Sequence, residues 1–301
     1  MSARSIRRGV SRSERIFDVL IYTFLIVAAF VTLYPFLNVL AISLNDSTDS
    51  VRGGITIFPR QFSLDNYKAI FTYDTLFTGF KNSLLRTLIG SVLGLLSASM
   101  LAYTLARRDF QGRKFVSTYL AITMYVTAGL IPFYILIKDL HMMNTFAVYV
   151  LPGIVSAFNV FVVRSFMDGI PYEIQESAKI DGANDFTIYW RIILPMTKPA
   201  LATIGLFLAV GQWNSWFDTY LYNGSSEQLT TLQFELVKVL QSTTNNSGDY
   251  RSPNISQITN TVSPDSVKMA ITIFVSVPIL LVYPFLQRYF VKGLTLGSVK
   301  G

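Results

Sequence analysis

Apolar residues run through this chain in long blocks, separated by shorter polar or basic stretches. A block of about 20 apolar residues is what a helix needs to cross the hydrocarbon of a bilayer. Six blocks meet that requirement: 16–44, 80–106, 114–137, 146–167, 199–222 and 266–290. They predict an all-α integral membrane protein with six transmembrane helices. The first block is longer than the apolar region of a signal peptide and carries no A-x-A site, so it is read as a retained span. In the second, Gly90, Gly94 and Ala98 recur every fourth residue, which clears one face for close helix packing or for a pathway. Gly129 and Pro132 interrupt the third block and predict a kink.

The polar segments fall into two kinds. Residues 45–79 and 223–265 are turn-rich and read as external loops, the part from 242 to 263 being dominated by Ser, Thr and Asn. The short segments on the other side are basic. Arg4, Arg7, Arg8, Arg12 and Arg15 crowd the tail 1–15, and Arg107, Arg108, Arg113 and Lys114 crowd one loop. Cytoplasmic loops collect Lys and Arg, so this pattern places both the tail 1–15 and the tail 291–301 in the cytoplasm. It also accounts for the net charge of +7 without invoking nucleic acid. Composition agrees with the membrane reading: 51% of the 301 residues are hydrophobic, and mean hydropathy is +0.43.

Much chemistry is excluded. The chain has no cysteine and a single histidine, His141, so disulfides, thiolate metal sites and histidine-based catalytic sets are absent. Neither a G-x-x-x-x-G-K-[ST] phosphate loop nor H-E-x-x-H occurs. No catalytic residue and no metal site is assigned, and no cofactor is expected on this chain. Acidic residues within the blocks are few. An ion-coupled carrier usually keeps a carboxylate there, so energy is expected from outside the chain.

One polar stretch does not read as a simple connector. Segment 169–199, within a core of 80–222, carries Glu176, Lys179, Asp181, Asp185, Arg191 and Lys198 between two apolar blocks. Residues 176–180 predict a short amphipathic helix, Gly182 a sharp reversal, and Asp181 or Asn184 the cap of a second short helix. Glu176-Ser177-Ala178, two residues, Asp181-Gly182-Ala183, eight residues, Ile192, one residue, Leu194-Pro195 resembles the EAA motif of ABC importer permeases. Ser177 for the first Ala is the only departure among those positions. Phe62-Ser63-Leu64-Asp65-Asn66-Tyr67 and the glycine-punctuated end, with Lys292, Gly293, Gly297, Lys300 and Gly301, are similar to segments of the smaller, MalG-like permease of maltose-type oligosaccharide importers.

That resemblance implies the type I importer permease fold and a set of partners: a sister permease, two copies of a cytoplasmic ATPase subunit that hold ATP and Mg, and an extracytoplasmic sugar-binding protein. It implies the bacterial cytoplasmic membrane. Glu176, Ser177, Ala178, Ile180, Asp181, Gly182, Ala183, Leu194 and Pro195 would form the coupling element. Glu176 would meet a basic group, and Ala178, Ile180 and Ala183 would supply a small apolar contact. The tail residues would reach between the ATPase subunits.

Substrate contact is placed on the fifth block. Trp213, Trp216 and Tyr220 fall at helical spacing with Gln212, Asn214 and Asp218 interleaved. Aromatic faces with amide and carboxylate groups suit a sugar ring, and the same residues would also suit an aromatic belt at the membrane interface. Asn159, in the fourth block, would line the pathway or bond a neighbouring helix. The resulting expectation is an importer subunit for an oligosaccharide, acidic ones included. The alternative is an ion-coupled carrier or channel for a small polar solute.

Overall fold

The computed structural model describes residues 12–244 and 263–297. Its long helices are α1 (Arg12–Ser43), α4 (Asp74–Ala106), α5 (Arg113–Tyr125), α6 (Leu130–Asp139), α7 (Ala157–Asp168), α11 (Lys198–Asn214), α13 (Leu232–Thr244) and α14 (Pro264–Gly297). Shorter ones are α2 (Ser47–Ser50), α3 (Asp65–Phe71), α8 (Glu173–Ile180), α9 (Asp185–Ile188), α10 (Leu194–Met196) and α12 (Phe217–Asn223). By length and composition, three of the described helices can cross a membrane, or up to six if each bent pair is one span. The pairs bend by 117° between α5 and α6, 47° between 146–153 and α7, and 82° between 185–196 and α11. At the first bend Gly129 has φ +82°, where a side chain would be strained. The kink predicted there is a full break.

Contacts divide the chain into two units, Met1–Ile70 with Ser252–Ile273, and Phe71–Arg251 with Phe274–Gly301. In the first unit the F-S-L-D-N-Y stretch fastens the loop that follows α1. The Asn66 amide donates to the carbonyls of Ser43 and Asn45 at 2.9 and 2.8 Å, and the hydroxyls of Tyr67 and Ser43 lie 2.8 Å apart. Asp46 caps α2 by accepting from the amides of Thr48 and Asp49.

The second unit is built around α4, which is 33 residues long and starts six positions before the predicted span. Its principal packing partners are α11, α7 and α13. The small-residue face is a packing face: a Cβ on Gly90 would stand 2.7 Å from Gln212 Nε2, and one on Gly94 would stand 3.3 Å from the Leu208 methyls. Ala98, Ala102, Val160, Val163 and Ile204 continue the core below.

Three further stretches differ from the sequence expectation. Helix α13 lies in a stretch read as external loop. It is held to α4 by Asn82, whose amide donates to the carbonyls of Gln228 and Thr230 at 2.8 Å each, and by Ser83, which accepts from the Leu232 amide at 2.9 Å. The predicted fifth helix, 199–222, is interrupted: Ser215 is extended, at ψ 125°, and α12 starts afresh at Phe217. Helix α14 runs through Lys292 and Gly293 to Gly297, beyond the predicted end at 290. Lys300, Gly301 and most of the loop 242–263 lie outside the described residues.

Candidate coupling hairpin and intramembrane cavity

Two sites take shape in the second unit. The first is the polar segment between α7 and α11. Its turn explains the spacing of the motif. Asp181 is the C-cap of α8, and Gly182 follows with φ +81°. The Gly182 amide donates to the Lys179 carbonyl at 3.0 Å, and the Ala183 amide donates to the Ala178 carbonyl at 2.9 Å. These two bonds and the left-handed glycine make a Schellman motif, whose usual apolar contact joins the residues here filled by Ala178 and Ala183. Asn184 then caps α9, its side chain accepting from the Thr187 amide at 2.8 Å. Asp181 therefore ends the first helix, and Asn184 starts the second.

Further along, residues 189–193 form a wider π turn. The Leu194 amide reaches the Tyr189 carbonyl five residues back. Pro195 has no N–H to give and crowds the turn before it, so widening the helix just ahead of it relieves that conflict. At the corner into α11, buried Thr197 donates its hydroxyl to the Ile193 carbonyl at 2.9 Å.

The hairpin is fastened to α4. Ile188, Tyr189, Ile193 and Ala178 belong to the same buried core as Ala98 and Leu105. The Tyr189 and Ser99 hydroxyls lie 2.8 Å apart. Arg107, at the end of α4, pairs with Asp185 at 2.5 Å and donates its Nε to Asp109 at 2.9 Å. Lys179 reaches Asp109 at 3.4 Å. Arg107's hydrogen bonds hold the Asp109 carboxyl well below the usual carboxylate range, so this clamp stays charged at neutral pH.

Burial sorts the predicted coupling residues. Ala178 is buried and Ala183 and Leu194 are half-buried against the chain's own core. Ala183 and Leu194 keep part of their surface open, and that of Ala178 is spent inside the hairpin. The Schellman contact is the reason. Glu176, Ser177, Asp181, Gly182 and Pro195 are exposed, as is Ile180 at 86%. Phe186 and Trp190, which sequence reading missed, add exposed rings stacked at 6.2 Å. Their i, i+4 spacing was the available signal.

The second site is a cavity of about 310 Å³ between α4, α6, α11, α12 and the 146–153 turn. Its wall holds Arg86, Tyr149, Gln212, Ser215 and Asp218. Arg86 is only 2% exposed. Its guanidinium donates to Asp218 at 2.5 and 3.1 Å, to Gln212 Oε1 at 3.1 Å and to the Ser215 carbonyl at 3.3 Å, and it lies 4.5 Å from the centre of the Tyr149 ring. Asp218 also accepts from the Ser215 hydroxyl and the Thr219 amide. Arg86 thus braces both sides of the break between α11 and α12. It takes the Ser215 carbonyl that caps the end of α11, an acceptor that an interrupted helix leaves open, and the first-turn carboxylate of α12.

Of the predicted pathway residues, only Gln212 and Asp218 reach this cavity. Trp213 is buried elsewhere, donating Nε1–H to the Val275 carbonyl at 3.1 Å and meeting Phe80 edge-on at 6.0 Å. Trp216 and Tyr220 form a separate aromatic cluster with Phe217 and, on α13, Phe234. Asn214 is exposed. The stripe splits because helical spacing holds only along an unbroken helix, and this one breaks at Ser215. Asn159 is buried near the start of α7, outside the cavity wall and without a side-chain hydrogen bond among the described residues. Sequence reading missed Arg86; a lone arginine within an apolar block is the signal that would have found it.

The family model described as binding-protein-dependent transport system inner membrane component matches residues 90–296. The polygalacturonan/rhamnogalacturonan transport system permease protein YtcP of Bacillus subtilis (strain 168) is 36% identical over 290 residues, covering 96% of this chain and 99% of that protein. The arabinooligosaccharides transport system permease protein AraQ of Halalkalibacterium halodurans is 32% identical over 278 residues, covering 91% of this chain and 93% of that protein. Among solved structures, a bacterial ABC transporter involved in the import of the acidic polysaccharide alginate superposes with TM-score 0.82 at 29% identity. That match covers 94% of this chain and 99% of that one.

Proposed function

Because the chain belongs to the family of binding-protein-dependent transport system inner membrane components, we propose that it is the membrane-spanning subunit of an ATP-driven importer. Its cargo is an oligosaccharide delivered by an extracytoplasmic binding protein. It crosses the membrane six times with both termini inside. It works beside a sister permease and two ATPase subunits, which hold the ATP and Mg. The observation that carries this reading is the hairpin's attachment to α4. A polar element with an exposed face shares one core and one ion-pair clamp with the helix that lines the cavity. Force on the hairpin reaches the cavity wall through packed side chains, which resist deformation.

Glu176, Ile180, Phe186 and Trp190 present the face that meets the ATPase, and Gly182 sets its angle. Lys292, Gly293, Gly297, Lys300 and Gly301 reach between the ATPase subunits. Gln212 and Asp218, with Arg86 and Tyr149, border the sugar's path. The carboxylate of Asp218 is matched by Arg86, so it offers no free site to a coupling ion. The named cargoes of YtcP and of the alginate transporter are acidic, and we extend that class to this chain. The test is uptake into vesicles holding the whole complex. Uptake of galacturonate oligosaccharides that needs ATP and the binding protein supports the reading. Uptake driven by an ion gradient without ATP contradicts it.

A further inference from the structure

A cleft of about 300 Å³ lies beside the hairpin, and the Arg107 clamp does not line it. Arg108, Arg113, Asp168, Tyr172 and Gln175 line it. Its charge is unbalanced. Arg107 is taken by Asp109 and Asp185. Arg108 has no carboxylate within ion-pair distance among the described residues and instead lies 4.9 Å from the centre of the Tyr172 ring. Asp168 is the one acidic group in the wall, and it is shared between Arg164 at 3.4 Å and Arg113 at 3.9 Å. The side-chain amide of Gln175 is a second, independent sign. The residue is 8% exposed and lines the cleft, yet its amide has no hydrogen-bond partner among the described residues. Its nitrogen and oxygen are not sealed from water, so the amide stands open to a ligand in the cleft.

The position says which ligand. The cleft opens where α4 ends at Ala106, where α5 begins at Arg113 and where α7 ends at Asp168. That is the level at which apolar helices leave a bilayer and lipid phosphates lie. Helix α5 also leaves Phe115, Tyr119 and Ile122 exposed, as a helix against acyl chains does. Gln175 lies on α8, buried and lining the cleft, whereas Glu176 and Ile180 of the same helix are exposed and do not line it.

We propose that this cleft binds the phosphodiester headgroup of an anionic phospholipid of the inner leaflet, held by Arg108, Arg113 and the Gln175 amide. Basic pockets between transmembrane helices are suited to such headgroups. The proposal rests on the inside-facing topology argued above.

The test is native mass spectrometry of the whole complex, taken from vesicles of phosphatidylcholine with or without phosphatidylglycerol. Wild type should carry one phosphatidylglycerol per copy of this chain. The double variant Arg108→Ala/Gln175→Ala should lose at least 5-fold of it while keeping its ATPase subunits. Arg108→Lys, which keeps the charge, should retain more than half and serves as the folding control. Three outcomes overturn the proposal: equal retention in the double variant, displacement of the lipid by inorganic phosphate at millimolar concentration, or loss of ATPase subunits with the lipid unchanged. Lipid retention and sugar uptake are separate readouts: retention without uptake removes the transport reading alone, and uptake without retention removes the lipid site alone.

Discussion

Arg86 donates to three groups that no local pattern connects, all of them more than 120 positions away in the chain. Removing one partner of such a buried pair leaves the other charge uncompensated, at a cost of about 3–5 kcal/mol. Arg86→Ala and Asp218→Ala are each expected to lower the thermal midpoint of the purified complex. The double variant Arg86→Met/Asp218→Leu should restore much of the loss, because it removes both charges together. Double-variant stability no better than the singles would mean that the pair is not what holds the break. Gly79 gives a second case. A Cβ there would stand 3.0 Å from the Leu232 backbone nitrogen, and backbone cannot step aside as a side-chain tip can. Gly79→Val should cost about 1–3 kcal/mol. It should also raise hydrogen exchange in α13 ahead of the rest of the unit, and uniform exchange would contradict that account.

At the scale of elements, legibility followed the range of the interactions. The D-G-A turn could be read because a Schellman motif closes within six residues, and its glycine, cap and alanines all fall inside one short window. The F-S-L-D-N-Y stretch was recognisable only by its resemblance to importer permeases, since its bonds reach 21 to 24 positions back. The interruption of the fifth helix was not, since the groups that stabilise it sit on another helix. The length of α14 was hidden because the glycines of the tail suggest an end that the backbone does not take. Helix α13 could have been found, for Leu232, Leu236 and Val239 keep helical spacing and are all buried; the Ser- and Asn-rich stretch after it obscured the pattern. The hairpin carries the element-scale prediction. Placing a β-branched side chain at Gly182, with φ +81°, costs about 1–3 kcal/mol of backbone strain. Gly182→Val should therefore leave assembly intact while tilting α9 against α8. Basal ATP hydrolysis should persist, and its stimulation by loaded binding protein should fall several-fold. Unchanged stimulation would mean that the turn does not set the coupling angle.

Across the whole molecule, the large apolar side chains of α1 are almost all exposed, from Ile16 through Phe36. They are expected to face lipid or the helices of a sister permease. One copy of this chain, one sister permease and two ATPase subunits form the expected unit. A native mass showing a stable homodimer with no other chain would contradict it. The family and its membrane setting were legible from patterns that repeat locally, block length, loop charge and the EAA spacing. The cavity wall was not, because it is assembled from α4, α6, the 146–153 turn, α11 and α12, and only the packed fold brings them together.

The hairpin is expected to transmit ATPase movement to a sugar path bordered by α4. The most direct test is ATP hydrolysis by the reconstituted complex, measured with and without oligosaccharide-loaded binding protein, in wild type and in Glu176→Lys. Glu176 is exposed on α8 and lies outside the chain's own core, so the variant should fold and assemble. Wild type should hydrolyse ATP several-fold faster with the loaded binding protein, and Glu176→Lys should keep the basal rate while losing that stimulation. Full stimulation in Glu176→Lys, at equal complex abundance, would contradict the account.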